Sequence, residues 1–201
     1  MFVINPASGP GPNRDPAWAR RVEQILAAGH RPLGYVPVGY GAHASETVDL
    51  IGVYARQYPN LAGIFLDEFP ATTIDPVTVD RLSAAVLFAR RMFSPTRNSM
   101  DAFRVIANPG VMPSKTVVDA LPRIGVWVVH EDRDRDGVSV DDIVPPRNPG
   151  YLEIKRQAWL SYADPAVDAT NARLAALGWQ WGYTTSDPAP VGNPWDMDPA
   201  T

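Results

Sequence analysis

Short apolar runs rich in β-branched and aromatic residues recur along the chain, and longer stretches whose apolar positions return every three or four residues lie between them. Alternation between a period of two and a period of 3.6 is how successive βα units look in sequence. The runs that predict strands are Phe2 to Asn5, Gly34 to Val38, Gly63 to Asp67, Arg104 to Asn108, Gly125 to His130, Gln157 to Ser161 and Trp181 to Thr185. Inside them GIFL and VWVV are apolar without a break, so both faces of those strands are expected to be covered, as in a parallel sheet flanked by helices.

The helical stretches carry their own start and stop signals. Asp15 is placed to cap a helix with Pro16 at its first position, Val22, Ile25 and Leu26 on its apolar stripe and Gly29 as its stop. Ser45 is read as opening a helix with Val48, Ile51 and Tyr54, and Asp80 as opening one with Leu82, Val86, Ala89 and Phe93. Asp168 lies in a further helix with Ala172 and Leu174 that ends at Gly178. This order predicts an α/β protein, a (β/α)8 TIM-type barrel in a single domain over residues 1–201. Such barrels typically need about 250 residues, with about 200 as the lower bound. The chain has 201 residues and one strand too few, so a barrel lacking its first βα unit is part of the expectation. An open doubly wound sheet is the alternative.

Composition narrows the function. Net charge is −4, the sequence pI is about 5.3, and no Lys/Arg run exceeds a doublet, so no cationic stripe is offered to nucleic acid. The absence of cysteine removes thiolate nucleophiles, disulfides and cysteine-ligated zinc, and leaves the redox compartment open. No apolar run approaches the roughly 18 residues that span a bilayer, so no membrane partner is expected. The start MFVINPASGPG lacks the layout of a secretory signal, and localisation stays undetermined.

Polar residues gather where strands end: Asn5 after FVI, Asp67 and Glu68 after GIFL, Asn108 after VIA and Glu131 after VWVVH. In a β/α barrel that edge is where active sites are built. Carboxylates at two different strand ends, with no histidine or cysteine constellation beside them, suit glycoside hydrolysis, which needs one group to protonate the leaving oxygen and one to attack or to activate water. Because side chains alternate along a strand, Asp67 and Glu68 cannot both aim at the barrel axis. Asn5 and Asn108 both precede proline, which holds their backbones extended and keeps the amides at the strand ends.

The strings NPASGPG, LAAGHRPLGYVPVGYG, YARQYP, NLAGIFLDE and VIANPG, the strand ending in Glu131, and the terminal GYTTSD and NPWD occur in order over nearly the whole chain. Together they resemble the spherulin-4-like family of glycoside hydrolases. The resemblance implies a β/α barrel acting as an endo-hydrolase on α-1,4-linked N-acetylgalactosamine or galactosamine polysaccharide of microbial biofilms. It also implies that Asp67, Asn108 and Glu131 hold the family's proposed catalytic positions, with Glu68 beside them. Family members carry a further strand and helix, with a PLY-type apolar run, before the segment matching VINPASGPG. The resemblance therefore implies either a gene start upstream of Met1, with secretion then plausible, or a reduced barrel with unpaired strand edges. Asp67 and Glu131 are expected to form the nucleophile and acid/base pair in either order. Glu68, Asn5, Tyr40, Tyr183 and Trp195 are expected to contact the sugar, the aromatic ones as stacking platforms. No cofactor is expected, and the partner is a polysaccharide.

Other signals are weaker. Asp132, Asp134, Asp136 and Gly137 spell the first half of a calcium loop, but its twelfth position is Ile143 rather than Glu, so a solvated acidic loop is the simpler reading. SGPGPN is glycine-rich, yet Pro10 and Pro12 lack the N–H groups that a phosphate cradle needs. Trp127 and Trp159 lie inside apolar strands and are read as core, and His30, His43 and His130 lack metal-ligand spacing. Lys115 is read as a loop residue. A polysaccharide-binding barrel without catalysis is the competing function.

Overall fold

The computed structural model describes residues 2–93, 104–132, 150–161 and 167–184. Seven strands, β1 (Phe2–Ile4), β2 (Pro32–Pro37), β3 (Gly63–Asp67), β4 (Arg104–Ala107), β5 (Val126–Asp132), β6 (Gln157–Ser161) and β7 (Trp181–Thr184), lie side by side in chain order. Every neighbouring pair is parallel. Parallel neighbours are joined by right-handed crossovers, and an order that never reverses keeps those crossovers on one face and curls the sheet. The doubly wound alternative requires a reversal, and there is none. Among the described residues no ladder joins β7 to β1, so these strands form a curled half-barrel rather than the closed eight-stranded barrel of the TIM type.

Alternation along the strands divides the apolar residues into two layers. The outer faces, among them Ile4, Val36, Ile64, Leu66, Val105, Trp127 and Trp159, pack against the helices, so both tryptophans are core as expected. The inner faces, Leu33, Tyr35, Phe65, Ile106, Val126, Val128, Ala158 and Leu160, fill the concave side.

The helices are α1 (Pro16–Ala27), α2 (Thr47–Gln57), α3 (Pro76–Phe93), α4 (Lys115–Ala120) and α5 (Val167–Ala176). Asp15 caps α1 by accepting from the backbone of Ala17 and Trp18, and α1 buries Ala19, Val22 and Ile25. Two helix starts differ from expectation. α2 begins at Thr47, two residues after Ser45. α3 begins at Pro76 instead of near Asp80, because Asp75 repeats the Asp-Pro grammar of α1 and its Oδ1 accepts from Val77 and Thr78 at 2.9 and 3.0 Å. Lys115 is not in a loop but opens the six-residue α4, which Ser114 caps.

Gly34 on β2 fixes how closely α2 approaches the sheet. The Tyr54 ring lies over it, and the Tyr54 hydroxyl donates to the Ile4 carbonyl of β1 at 3.1 Å. A Cβ at position 34 would meet Leu61 Cδ1 and Tyr54 Cδ1 at 3.0 Å, and both partners are buried. Gly34→Ala is therefore expected to destabilise the fold by about 1–3 kcal/mol through overpacking. Urea denaturation checks this, and an unchanged midpoint would show that α2 can shift without cost.

Candidate active site

Inner-facing positions at the C-terminal strand ends build the site. On β3, Phe65 packs in the inner layer and Asp67, two residues on, shares its face. Asn108 follows Ile106 in the same way just past β4. On β5 the simple alternation would fail: Trp127 and Val129 are outer residues, and Glu131 would join them. A register shift between Val128 and His130 corrects this. Val128 pairs with Ala158 but His130 pairs with Trp159, so one extra residue is absorbed in β5 and Glu131 comes level with the inner residue Leu160. Such a bulge re-aims every side chain beyond it.

The three side chains meet. Asn108 Nδ2 donates to Asp67 Oδ1 at 2.7 Å and to Glu131 Oε2 at 2.9 Å. Asn108 Oδ1 accepts from the backbone N–H of Gly110 at 3.0 Å, which fixes the amide's orientation. The other oxygen of Asp67, Oδ2, accepts from the Tyr35 hydroxyl at 2.8 Å. Tyr35 sits on β2 in the layer below, and the length of its ring carries the hydroxyl up to the carboxylate. Burial, and secondarily the charge of Glu131, push the Asp67 carboxyl above its ordinary range, against the opposing hydrogen bonds from Tyr35, the Glu68 backbone and Asn108.

The remaining expected residues are dispersed. Glu68 and Tyr40 both adopt left-handed backbone, each with φ 52°, at a cost on the order of 1–3 kcal/mol apiece. They are tied together by a 2.6 Å bond from the Tyr40 N–H to the Glu68 carbonyl. Tyr40 lies in the short turn after β2 with its ring exposed. Asn5 is buried, and its Oδ1 accepts from the Gly9 N–H at 2.7 Å, bracing the loop after β1. Tyr183 lies on β7 in register with Leu160, and Asp132 closes β5 in register with Ser161. Trp195, Asp134 and Asp136 lie outside the described residues. Tyr35 was not anticipated, because an aromatic inside a strand reads as core. Its signal was its parity, two residues before Pro37 at the strand end on the same face.

Residues 1–171 match the family model Spherulin4, described as spherulation-specific family 4, and this span contains every residue of the cluster. The chain belongs to that family. It is 32% identical over 136 residues to Spherulin-4 of Physarum polycephalum, which is 66% of this chain and 36% of that protein, so it spans little more than a third of this curated relative. Its fold is similar to the crystal structure of Aspergillus clavatus Sph3 in complex with GalNAc, with a TM-score of 0.68 over 92% of this chain and 76% of that one, at 22% identity. For this spherulin-4 family member, the motifs quoted from residues 1–171 and the family match agree.

The electrostatics of Asp67 carry a stability consequence. A carboxyl whose folded pKa is raised favours the folded state most below its ordinary value of 3.8, and that contribution is lost as pH rises through the raised value. Asp67→Asn removes the buried charge, so at pH 7 it is expected to stabilise the protein by about 0.5–2 kcal/mol, a gain that shrinks near pH 4. Thermal unfolding at the two pH values tests this, and a lower Tm at pH 7 would refute it.

Proposed function

We propose that this chain is an endo-acting glycoside hydrolase that cleaves an α-1,4-linked polymer of N-acetylgalactosamine and galactosamine with Asp67 and Glu131. The observation that carries the reading is that one Asn108 nitrogen lies within hydrogen-bond reach of both carboxylates. Their facing oxygens are then separated by no more than those two bonds laid end to end. That is shorter than the roughly 6.5 Å at which inverting enzymes begin, and it supports the retaining geometry of about 5–5.5 Å.

In a 1,2-cis α-linked 2-acetamido sugar the acetamido group is on the same side as the leaving group and cannot attack from behind. Both jobs fall to protein carboxylates. One attacks C1 and forms a glycosyl ester while the other gives its proton to the departing oxygen. That second group then takes a proton from water, which displaces the first carboxylate with the configuration retained. Asn108 holds the pair in register for both steps. Membership of the spherulin-4 family and the fold likeness to Sph3, which was crystallised with GalNAc, support the choice of sugar.

Two features at the pair separate the roles by experiment. Asp67→Asn and Glu131→Gln are each expected to lower reducing-end release from the polymer by at least about 10³-fold, on the scale of lost acid–base or nucleophilic catalysis. With an activated aryl α-glycoside and azide, the variant lacking the acid/base yields the α-azide, and the variant lacking the nucleophile yields the β-azide. The mechanism needs one carboxyl ionised and one protonated, so the rate is expected to be bell-shaped in pH, and burial of Asp67 moves the limb it sets above the ordinary aspartate range. Among the described residues the sheet is open and seven-stranded, which favours a second reading, a barrel that binds the polysaccharide without cutting it. Retention on the polymer with no reducing ends released by the unaltered chain would select that reading.

A further inference from the structure

The turn after β2, the loop after β3 and the start of α3 enclose an open groove of about 700 Å³, lined by Tyr40, Gly41, Pro70, Thr73, Asp75 and Thr78 among others. Pro70 is the third residue after Asp67, and the wall carrying Tyr40 is fastened to the Glu68 carbonyl next to Asp67. The groove is therefore built on the chain segment that follows Asp67 at the C-terminal end of β3.

Three features of this groove point to a sugar ring. Tyr40 is 68% exposed and projects from a turn in which Gly39, Tyr40 and Gly41 all have positive φ, of 58°, 52° and 102°. The turn is held tight, since a Cβ at Gly39 would fall 2.2 Å from His43 Cδ2. A tyrosine kept in an unfavourable backbone conformation with its ring in solvent presents a flat apolar face, and stacking on a pyranose is the chemistry such a ring offers.

Charge then narrows the class. No Lys or Arg lines the groove, and Asp75 contributes a carboxylate kept ionised by the Thr78 hydroxyl and by the backbone N–H groups of Thr78 and Val77. That same carboxylate occupies the N-terminus of α3, which offsets the attraction that helix end would have for an anion. Uronic acids and sulfated sugars are disfavoured, whereas neutral or amine-bearing sugars are suited.

We propose that this groove is a second sugar subsite, in which Tyr40 stacks under the unit next to the one held between Asp67 and Glu131, and that it selects an amine-bearing or neutral ring over an anionic one. The proposal rests on the glycosidase reading for what the neighbouring site does, and its test does not depend on cleavage.

Calorimetric binding of a partly deacetylated α-1,4-N-acetylgalactosamine hexamer to the Glu131→Gln protein is compared with binding to the same protein carrying Tyr40→Asn or Tyr40→Phe. Asparagine tolerates the left-handed conformation and removes the ring. The hexamer is expected to bind about three- to tenfold more weakly to the Tyr40→Asn form and within about twofold of the parent to the Tyr40→Phe form, while binding of monomeric GalNAc is unchanged. Thr73→Trp, which fills the groove without touching the turn, is expected to weaken the hexamer similarly. An α-1,4-galacturonate hexamer is expected to bind more weakly than the amine-bearing one.

Unchanged hexamer affinity in both ring-less and filled variants, equal losses for monomer and hexamer, or no hexamer binding at all would overturn the subsite. Equal or tighter binding of galacturonate would overturn its charge selectivity. A subsite that responds as expected in a chain that releases no reducing ends would leave the groove standing and remove the hydrolase.

Discussion

A buried Asp67 carboxylate loses its water and faces the half-buried Glu131, and one amide links the two. Asn108 Nδ2 donates to both, at 2.7 and 2.9 Å, while its own oxygen is anchored by the Gly110 N–H. Charge-assisted hydrogen bonds are the strong kind, and here a single donor group serves two acceptors at once. Its placement depends on three separate chain segments arriving at one height. The Asn108 backbone contributes to this directly, since its N–H donates to Leu66 at 2.8 Å and its carbonyl accepts from Phe69 at 2.9 Å, stitching the ends of β3 and β4 together.

Around this amide the structure accumulates local costs. Asp67 is buried with its carboxyl pushed upward, and Glu68 and Tyr40 hold left-handed backbone. Strained or desolvated groups persist where the surrounding fold over-determines them, and they gather at functional edges. Here the inner layer from Leu33 to Leu160 and the helices on the outer face provide that constraint. The end of β3 that carries Asp67 also holds the Tyr40 turn, through the bond from the Tyr40 N–H to the Glu68 carbonyl.

Much of the fold was legible because its signals are local. Every predicted strand is present, and Asp15, Pro16 and Gly29 bound α1 as their chemistry requires. Asp75 and Pro76 open α3 by the same chemistry as Asp15 and Pro16 open α1, ahead of the Asp80 start that its apolar stripe suggests. The six residues of α4 are too few for an apolar period to stand out, and their helix is supported by the Ser114 cap and by burial of Val117 and Val118. Residue type and strand-end position marked Asn5, Asp67, Glu68, Asn108 and Glu131, and the structure brings Asp67, Asn108 and Glu131 together among them. Tyr35 escaped because its hydroxyl works one layer above its own backbone.

The sequence by itself determined the parallel βα order, the polar strand ends and the family, because periodicity, caps and motif strings are properties of neighbouring residues. Tertiary structure alone decided which of those polar ends face one another. The deciding element is the extra residue in β5: by simple alternation Glu131 belongs with Trp127 and Val129 against the helices, and the shift between Val128 and His130 turns it inward to Asn108. A bulge is a mismatch between two paired strands, so it exists only once β5 meets β6, and no pattern within VWVVHED announces it.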